Sequence, residues 1–183
     1  MEEISLHVLD IVQNSLSAGA TLINIEVDEQ EESDTLTIQI TDNGKGMPPE
    51  LLEKVTDPFV TTRTTRKVGL GISLFMQGVK ATGGDFTIKS EVGKGTLLRA
   101  TYRRSHIDRQ PLGDMAGTIR TLVLCNPDID FEYVRRFNGK TFTLDTRELR
   151  KALGSEVPLA APMVQAWIQE YLSEGEEELF GGV

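Results

Sequence analysis

Residues 35–47 read Thr35-Leu36-Thr37-Ile38-Gln39-Ile40-Thr41-Asp42-Asn43-Gly44-Lys45-Gly46-Met47, and the fold is read outward from them. Leu36, Ile38 and Ile40 alternate with polar neighbours, the period of a half-buried strand, and Asp42 is the first charge after it. Gly44 and Gly46 give the backbone access to positive φ and keep a Cβ out of a ligand's way. A loop of this kind can lie along a flat ring whose amino group donates to the Asp42 carboxylate. Asp-Asn-Gly is equally ordinary hairpin chemistry, so the neighbouring segments decide between the two readings.

At 183 residues the chain is long enough for one ordinary domain, alone or with a small appendage. Nineteen Lys and Arg against 28 Asp and Glu leave a net charge of -9, which opposes binding to a phosphate backbone or an anionic membrane surface. Nucleic acid is therefore not an expected partner. The single Cys125 cannot form an internal disulfide, no stretch is apolar enough to span a membrane, and the first residues lack a secretion signal. A soluble, cytoplasmic protein is the expectation.

Residues 2–18 carry Ile4, Val8, Ile11, Val12 and Leu16 on one side, widened by Leu6 and Leu9, the pattern of a largely buried helix. Glu3, His7, Asp10, Asn14 and Ser17 form a polar line along the remaining side, facing either solvent or a ligand. Asp10 and Asn14, one turn apart, put a carboxylate beside an amide oxygen, suitable chemistry for a hard cation that also binds phosphates. Gly19-Ala20 ends the helix. Ile23, Ile25 and Val27 then alternate as a strand, and Glu31 to Asp34 turn the chain into residues 35–41.

Pro48-Pro49-Glu50 opens a short helix to about Val55, which Pro58 breaks. Residues 57–68 lack apolar periodicity and concentrate Arg63, Arg66 and Lys67 in an acidic chain. That local charge suits a polyphosphate, and a solvated loop explains the same composition. Val68-Gly69-Leu70-Gly71 enters a helix that stops at Gly83-Gly84, and free N–H groups at such an entrance receive anionic oxygens. Residues 86–89 and 96–102 form a hairpin about Glu91-Val92-Gly93-Lys94-Gly95. Neither a Walker motif nor the dinucleotide G-x-G-x-x-G pattern occurs, so a bound nucleotide needs a different fold.

Taken together, residues 1–104 resemble the ATP-binding domain of the GHKL superfamily, shared by gyrase, the Hsp90 chaperones, sensor histidine kinases and MutL. Leu9-Asp10-Ile11-Val12-Gln13-Asn14-Ser15-Leu16 with Ala18-Gly19-Ala20-Thr21 is similar to the N box, especially its MutL form. Asp42-Asn43-Gly44-Lys45-Gly46-Met47 is similar to the G1 box. Asp57-Pro58-Phe59 with Thr61-Thr62-Arg63 resembles the kinase F box, Gly69-Leu70-Gly71-Ile72-Ser73-Leu74 the G2 box, and Gly93-Lys94-Gly95-Thr96 the last glycine box of the kinases. Any one box is weak; their order and spacing carry the resemblance.

The resemblance implies an α+β, two-layer α/β sandwich of the Bergerat type: a mixed sheet of about four or five strands covered on one face by three helices, with ATP between the helices and a lid formed by residues 48–68. It implies ATP and Mg2+ as cofactors. Asn14 would ligate the metal, and Asp42 would receive the adenine amino group with a water that Thr96 shares. Gly44, Gly46 and Met47 would border the base. Gly69, Leu70 and Gly71 would hold phosphate oxygens, with Arg63, Arg66 or Lys67 closing over the γ-phosphate. Asp10 stands where gyrase and MutL have a catalytic Glu that orients the attacking water. A side chain one methylene shorter implies slow hydrolysis, because positioning dominates phosphoryl transfer.

Residues 105–117 read as a linker and 118–183 as a small α+β module of no recognised family. Ile119 to Leu124 are expected as a strand, residues 131–137 and 141–144 as a hairpin about Asn138-Gly139, and Asp145 with Glu148 as the capping box of a short helix. Pro162 leads a last helix with Val164, Trp167, Ile168, Tyr171 and Leu172 on one face, packed on the hairpin or presented to a partner or a second copy. His106, in Ser105-His106-Ile107-Asp108, faintly echoes a phosphoacceptor box, but Ile107 separates the acid and Gly113 and Gly117 disfavour a helix. Two functions stay open. One is a stand-alone kinase of the histidine-kinase type that phosphorylates a partner protein in signalling; the other is a slow ATPase acting as an ATP-gated interaction switch.

Overall fold

The computed structural model describes residues 2–57 and 70–181, with Leu70 by its backbone alone. In chain order the described elements are α1 (Ile4–Ser17), β1 (Leu22–Gln30), β2 (Thr35–Asp42), α2 (Pro49–Thr56), α3 (Leu70–Ala81), β3 (Asp85–Glu91) and β4 (Gly95–Arg103). There follow α4 (Met115–Cys125), β5 (Asp130–Phe137), β6 (Lys140–Asp145), α5 (Thr146–Leu153) and α6 (Pro162–Phe180). The strands make one mixed sheet of six in the order β3-β4-β2-β1-β5-β6. Every neighbouring pair is antiparallel except β1 with β5.

Alternation sets which face is covered. Ile23, Ile25 and Val27 of β1, Leu36, Ile38 and Ile40 of β2, and Leu98, Ala100 and Tyr102 of β4 are all buried, while the residues between them are less so. Register puts Ile25 beside Ile40 and Ile38 beside Ala100, so the apolar side chains form continuous rows. Onto these rows pack Val8, Ile11 and Val12 of α1 and Ile72, Phe75 and Val79 of α3. The result is a two-layer α+β sandwich whose apolar core lies between sheet and helices.

The part after residue 104 joins the same sheet. β5 runs parallel to β1 over eight residue pairs, from Leu22 with Asp130 to Glu29 with Phe137, and brings Phe131 and Tyr133 into the row of Ile23 and Ile25. Arg135, 1% exposed, pairs with Glu29, which also accepts from Arg104 Nε at 2.9 Å. Burial works against the charge on Glu29, but the two guanidiniums outweigh it and hold its carboxyl below the usual range. Residues 111–112 return to the start of α1, where the Ile4 and Ser5 N–H groups donate to the Pro111 and Leu112 carbonyls at 2.9 Å. These are among the donors that a helix start leaves without an internal partner.

Residues 119–124 correct the expectation of a strand: they lie inside the helix α4. Ile119, Thr121 and Val123 suggest a period of two, but the buried residues are Met115, Ile119, Leu122 and Val123, spaced by four, three and one. Gly117, expected to break a helix, makes room for its cap. Asp114 accepts from the Gly117 N–H at 2.9 Å, and a Cβ on residue 117 would sit 2.2 Å from Asp114 Oδ2. The hairpin of β5 and β6 turns at Asn138-Gly139 as read. Asp145 caps α5 by accepting from the Arg147 N–H at 2.9 Å, while Glu148 pairs with Lys151. α6 buries Val164, Ile168 and Leu172 and packs against α4, β5 and β6, whereas Trp167 stacks on Tyr171 and stays 46% exposed. Among the described residues no helix is long and apolar enough to cross a membrane.

Candidate functional site

Asp42 ends β2 and turns its carboxylate toward α1. Oδ2 accepts from the Ser15 hydroxyl at 2.6 Å and Oδ1 from the Gly44 N–H at 2.9 Å. Two donors from different elements therefore fix the orientation of the carboxylate. Asn43 ties the same turn to the start of β1: its Oδ1 accepts from the Thr21 and Leu22 N–H groups, and its Nδ2 donates to Thr21 Oγ1 at 2.9 Å. Lys45 N–H donates to the Ala18 carbonyl at 2.9 Å, and a Cβ on Gly44 would lie 3.0 Å from Ala18 Cβ. The loop thus lies tightly on the end of α1.

Its far side is clamped to the β3–β4 turn. Gly93 N–H donates to the Lys45 carbonyl at 2.8 Å, and Met47 N–H donates to Ser90 Oγ at 2.8 Å. Gly46 has φ +72°, and a Cβ there would fall 2.1 Å from the Glu91 carbonyl oxygen. Gly95 has φ +119°, and a Cβ there would fall 2.0 Å from the Asp42 carbonyl oxygen. Only glycine meets both demands. Gly95→Ala is expected to cost about 2–4 kcal/mol, combining backbone strain with displacement of the β2 end. A thermal melt reads this directly, and an unchanged Tm contradicts the close approach.

Between this loop, α1 and the sheet lies a cavity of about 170 Å³. Its walls are mainly apolar, with Ile11, Ile40, Met47, Ile72, Ile88 and Leu98, and among the described residues that line it Asp42 is the one carboxylate. Asn14 and Ser15 line it from the helix, Gly46 from the loop, and Thr96 from β4, where it is the cross-strand partner of Asp42. An apolar slot ending in an oriented acceptor suits a flat ring that carries a donor.

Asp10, Gly44 and Gly71 do not line this cavity. Asp10 is exposed, and a Cβ on Gly71 would lie 3.2 Å from Asp10 Cβ, so the entrance of α3 meets α1 one turn before Asn14. Arg63, Arg66, Lys67, Gly69 and the F-box residues 58–63 lie outside the described residues, as does the Leu70 side chain.

The polar line of α1 divides. Asn14 and Ser17 reach the cavity, but His7, 2% exposed, packs edge-on to Phe75 with ring centroids 5.6 Å apart, and its Nε2 lies 3.1 Å from Gln110 Nε2. Burial lowers the His7 pKa, although Glu2, Asp10 and Gln110 pull the other way. His106 follows β4, with its Nδ1 accepting from the Asp108 N–H at 3.1 Å. Along β4, Leu98 is the last cavity residue, and the strand from there to Arg103 spans roughly 17 Å at 3.4 Å per residue. His106 is not among the described residues that line the cavity.

Sequence reasoning missed Ser15, Ser90 and Asn43. Ser15 follows Asn14 directly, but its partner Asp42 lies 27 positions away, and nothing local marks the pair. Ser90 sits on β3 as one polar residue of an alternating strand. Only Asn43 carried a local signal, since an Asn beside Gly in a turn commonly bonds nearby backbone.

The family described as histidine kinase-, DNA gyrase B- and HSP90-like ATPase matches residues 2–106. The chain belongs to this family. Among relatives, the sensor kinase CckA of Brucella abortus (strain 2308) is 29% identical over 151 residues, covering 70% of this chain. The sensor histidine kinase WalK of Bacillus subtilis (strain 168) is 39% identical over 104 residues, covering 51% of this chain. The matches take in 16% and 17% of those proteins, so the chain spans about a sixth of their length. A solved structure, the N-terminal domain of a DNA repair protein, superposes with TM-score 0.55 at 14% identity over 85% of this chain and 58% of its own. That likeness shows the fold, and it reaches beyond the 2–106 match into the C-terminal part. The protein thus carries a family ATP-binding domain similar to histidine-kinase catalytic domains.

Proposed function

We propose that the cavity binds ATP with magnesium, and that the chain acts as a histidine-kinase-type catalytic domain passing the γ-phosphate to a partner protein in cytoplasmic signalling. The observation that carries the nucleotide reading is the Asp42 carboxylate, aimed by Ser15 and Gly44 into an apolar slot. It would take the adenine amino group, with Thr96 beside it and Gly46 and Met47 bordering the base, while Gly44 serves by holding the Asp42 carboxylate through its N–H. The phosphates then run toward Asn14 and the entrance of α3, where Leu70 and Gly71 offer helix N–H groups. Gly69, Arg63 and Lys67 belong to the same proposal from their place in the sequence.

The donor set fits magnesium. Asn14 supplies one amide oxygen at the cavity wall, and Mg2+ commonly takes one or two protein ligands and completes its shell with phosphate oxygens and water. When bound, the metal would neutralise phosphate charge. Asp10, exposed beside Gly71 and one turn from Asn14, would act on the attacking group. Its short side chain makes a poor water-orienting base, and hydrolysis by the protein alone is expected to run well below one turnover per second. A rate of several per second contradicts the expectation of slow hydrolysis.

Similarity to sensor kinases favours the transferase reading. A second reading, a slow ATPase that switches a protein interaction or a homodimer, is favoured by the bonds from Pro111 and Leu112 to the start of α1. They tie the helix carrying Asp10 and Asn14 to the chain leading into α4. Incubation of copurified partners with γ-labelled ATP separates the two: label moving to a protein supports the kinase, and nucleotide-dependent association without label supports the switch.

A further inference from the structure

Asp42, Thr96 and Ser90 stand side by side across β2, β4 and β3, Thr96 being the cross-strand partner of both others. Among the described residues Ser90 Oγ has three polar neighbours: the Met47 N–H at 2.8 Å, the Gly95 carbonyl oxygen at 3.1 Å and Thr96 Oγ1 at 2.7 Å. A serine hydroxyl holds one proton and two lone pairs, while a backbone N–H only donates and a carbonyl only accepts. One assignment satisfies all three contacts. Met47 donates to Ser90, Ser90 donates to Gly95, and Thr96 donates to Ser90. If Ser90 donated to Thr96 instead, the Gly95 carbonyl would lose this donor.

The Thr96 proton is then committed to Ser90, and Thr96 offers the cavity lone pairs alone. Asp42 beside it, already accepting from Ser15 and Gly44, offers lone pairs as well. We propose that Ser90 sets the base preference of the cavity by holding the Thr96 hydroxyl as an acceptor, so that a ring with an exocyclic amine is favoured over one with an exocyclic carbonyl. This rests on the nucleotide reading above and adds a positioning residue outside the cavity wall. A hypoxanthine ring has the shape of adenine but carries oxygen in place of the amine, which sets acceptor against acceptor. Once the Ser90 oxygen is removed, the Thr96 hydroxyl is free to turn and donate to that oxygen.

The test is calorimetric titration of the full chain with ATP and with ITP, each with magnesium. The wild type is expected to prefer ATP. Ser90→Ala is expected to narrow the ratio of the two Kd values by roughly tenfold, the cost of one mismatched polar contact. Ser90→Thr, which keeps the hydroxyl, preserves the ratio, and Ser90→Ala in a Thr96→Val background changes it no further. A purely structural role for Ser90 does not produce that dependence on Thr96. If Ser90→Ala melts early, Ser90→Cys keeps the volume with a poor acceptor and is expected to narrow the ratio likewise. A wild-type ratio in folded Ser90→Ala or Ser90→Cys overturns the inference. A wild type that binds both equally overturns this inference and leaves nucleotide binding in place, whereas one that binds neither overturns the nucleotide reading and this inference with it.

Discussion

Asp42→Asn is expected to weaken nucleotide binding by roughly a hundredfold, about 3 kcal/mol, for ATP and ADP alike. In the wild type the Ser15 hydroxyl and the Gly44 N–H already donate to this carboxylate, and the base would bring a third donor. A carboxylate has lone pairs for all three. An amide has a single oxygen and turns an NH2 group toward one of the donors, so either the Ser15–Gly44 anchor or the base contact fails. Equal losses for ATP and ADP mark this as the base end. Isothermal titration reads the effect, and unchanged affinity for both nucleotides removes Asp42 from the site.

Asn14→Ala is expected to act at the other end and to abolish the gain that magnesium gives to ATP binding. Asn14 lines the cavity from α1 one residue before Ser15, so in the proposed complex the same turn of helix would face both base and phosphates. Losing the amide oxygen would take away the protein's proposed share of the metal shell, while Asp42 and the apolar walls stay in place. In titrations with magnesium the variant should show no saturable binding at concentrations that saturate the wild type; with EDTA the two should differ little. A variant with the wild-type magnesium dependence shows that the metal is held elsewhere.

The parts of this fold that could be read from sequence are those whose signal is local. Ile23, Ile25 and Val27, and Leu36, Ile38 and Ile40, alternate because one sheet face is buried, and Asn138-Gly139 marks its hairpin unaided. Residues 119–124 misled because β-branched side chains tolerate both periods, and because the glycine that admits the Asp114 cap also weakens a helix on propensity alone. The parallel pairing of β5 with β1 joins positions more than 100 residues apart and has no local trace. At the site, the glycine loop and Asn14 were legible as motif. The bond from Ser15 to Asp42 and the Met47–Ser90–Thr96 chain are contacts between elements and become visible only when those elements pack. His7 shows the same limit, since its spacing with Asp10 and Asn14 does not reveal that Phe75 and Gln110 cover it.

The most direct test of the central claim is a crystal structure of the chain with magnesium and a non-hydrolysable ATP analogue. The adenine ring is expected in the slot between α1 and the sheet, its amino group on the Asp42 carboxylate and its phosphates running toward Asn14. Density for the nucleotide at any other place, or in this slot with Asp42 and Asn14 both turned away from it, contradicts the account.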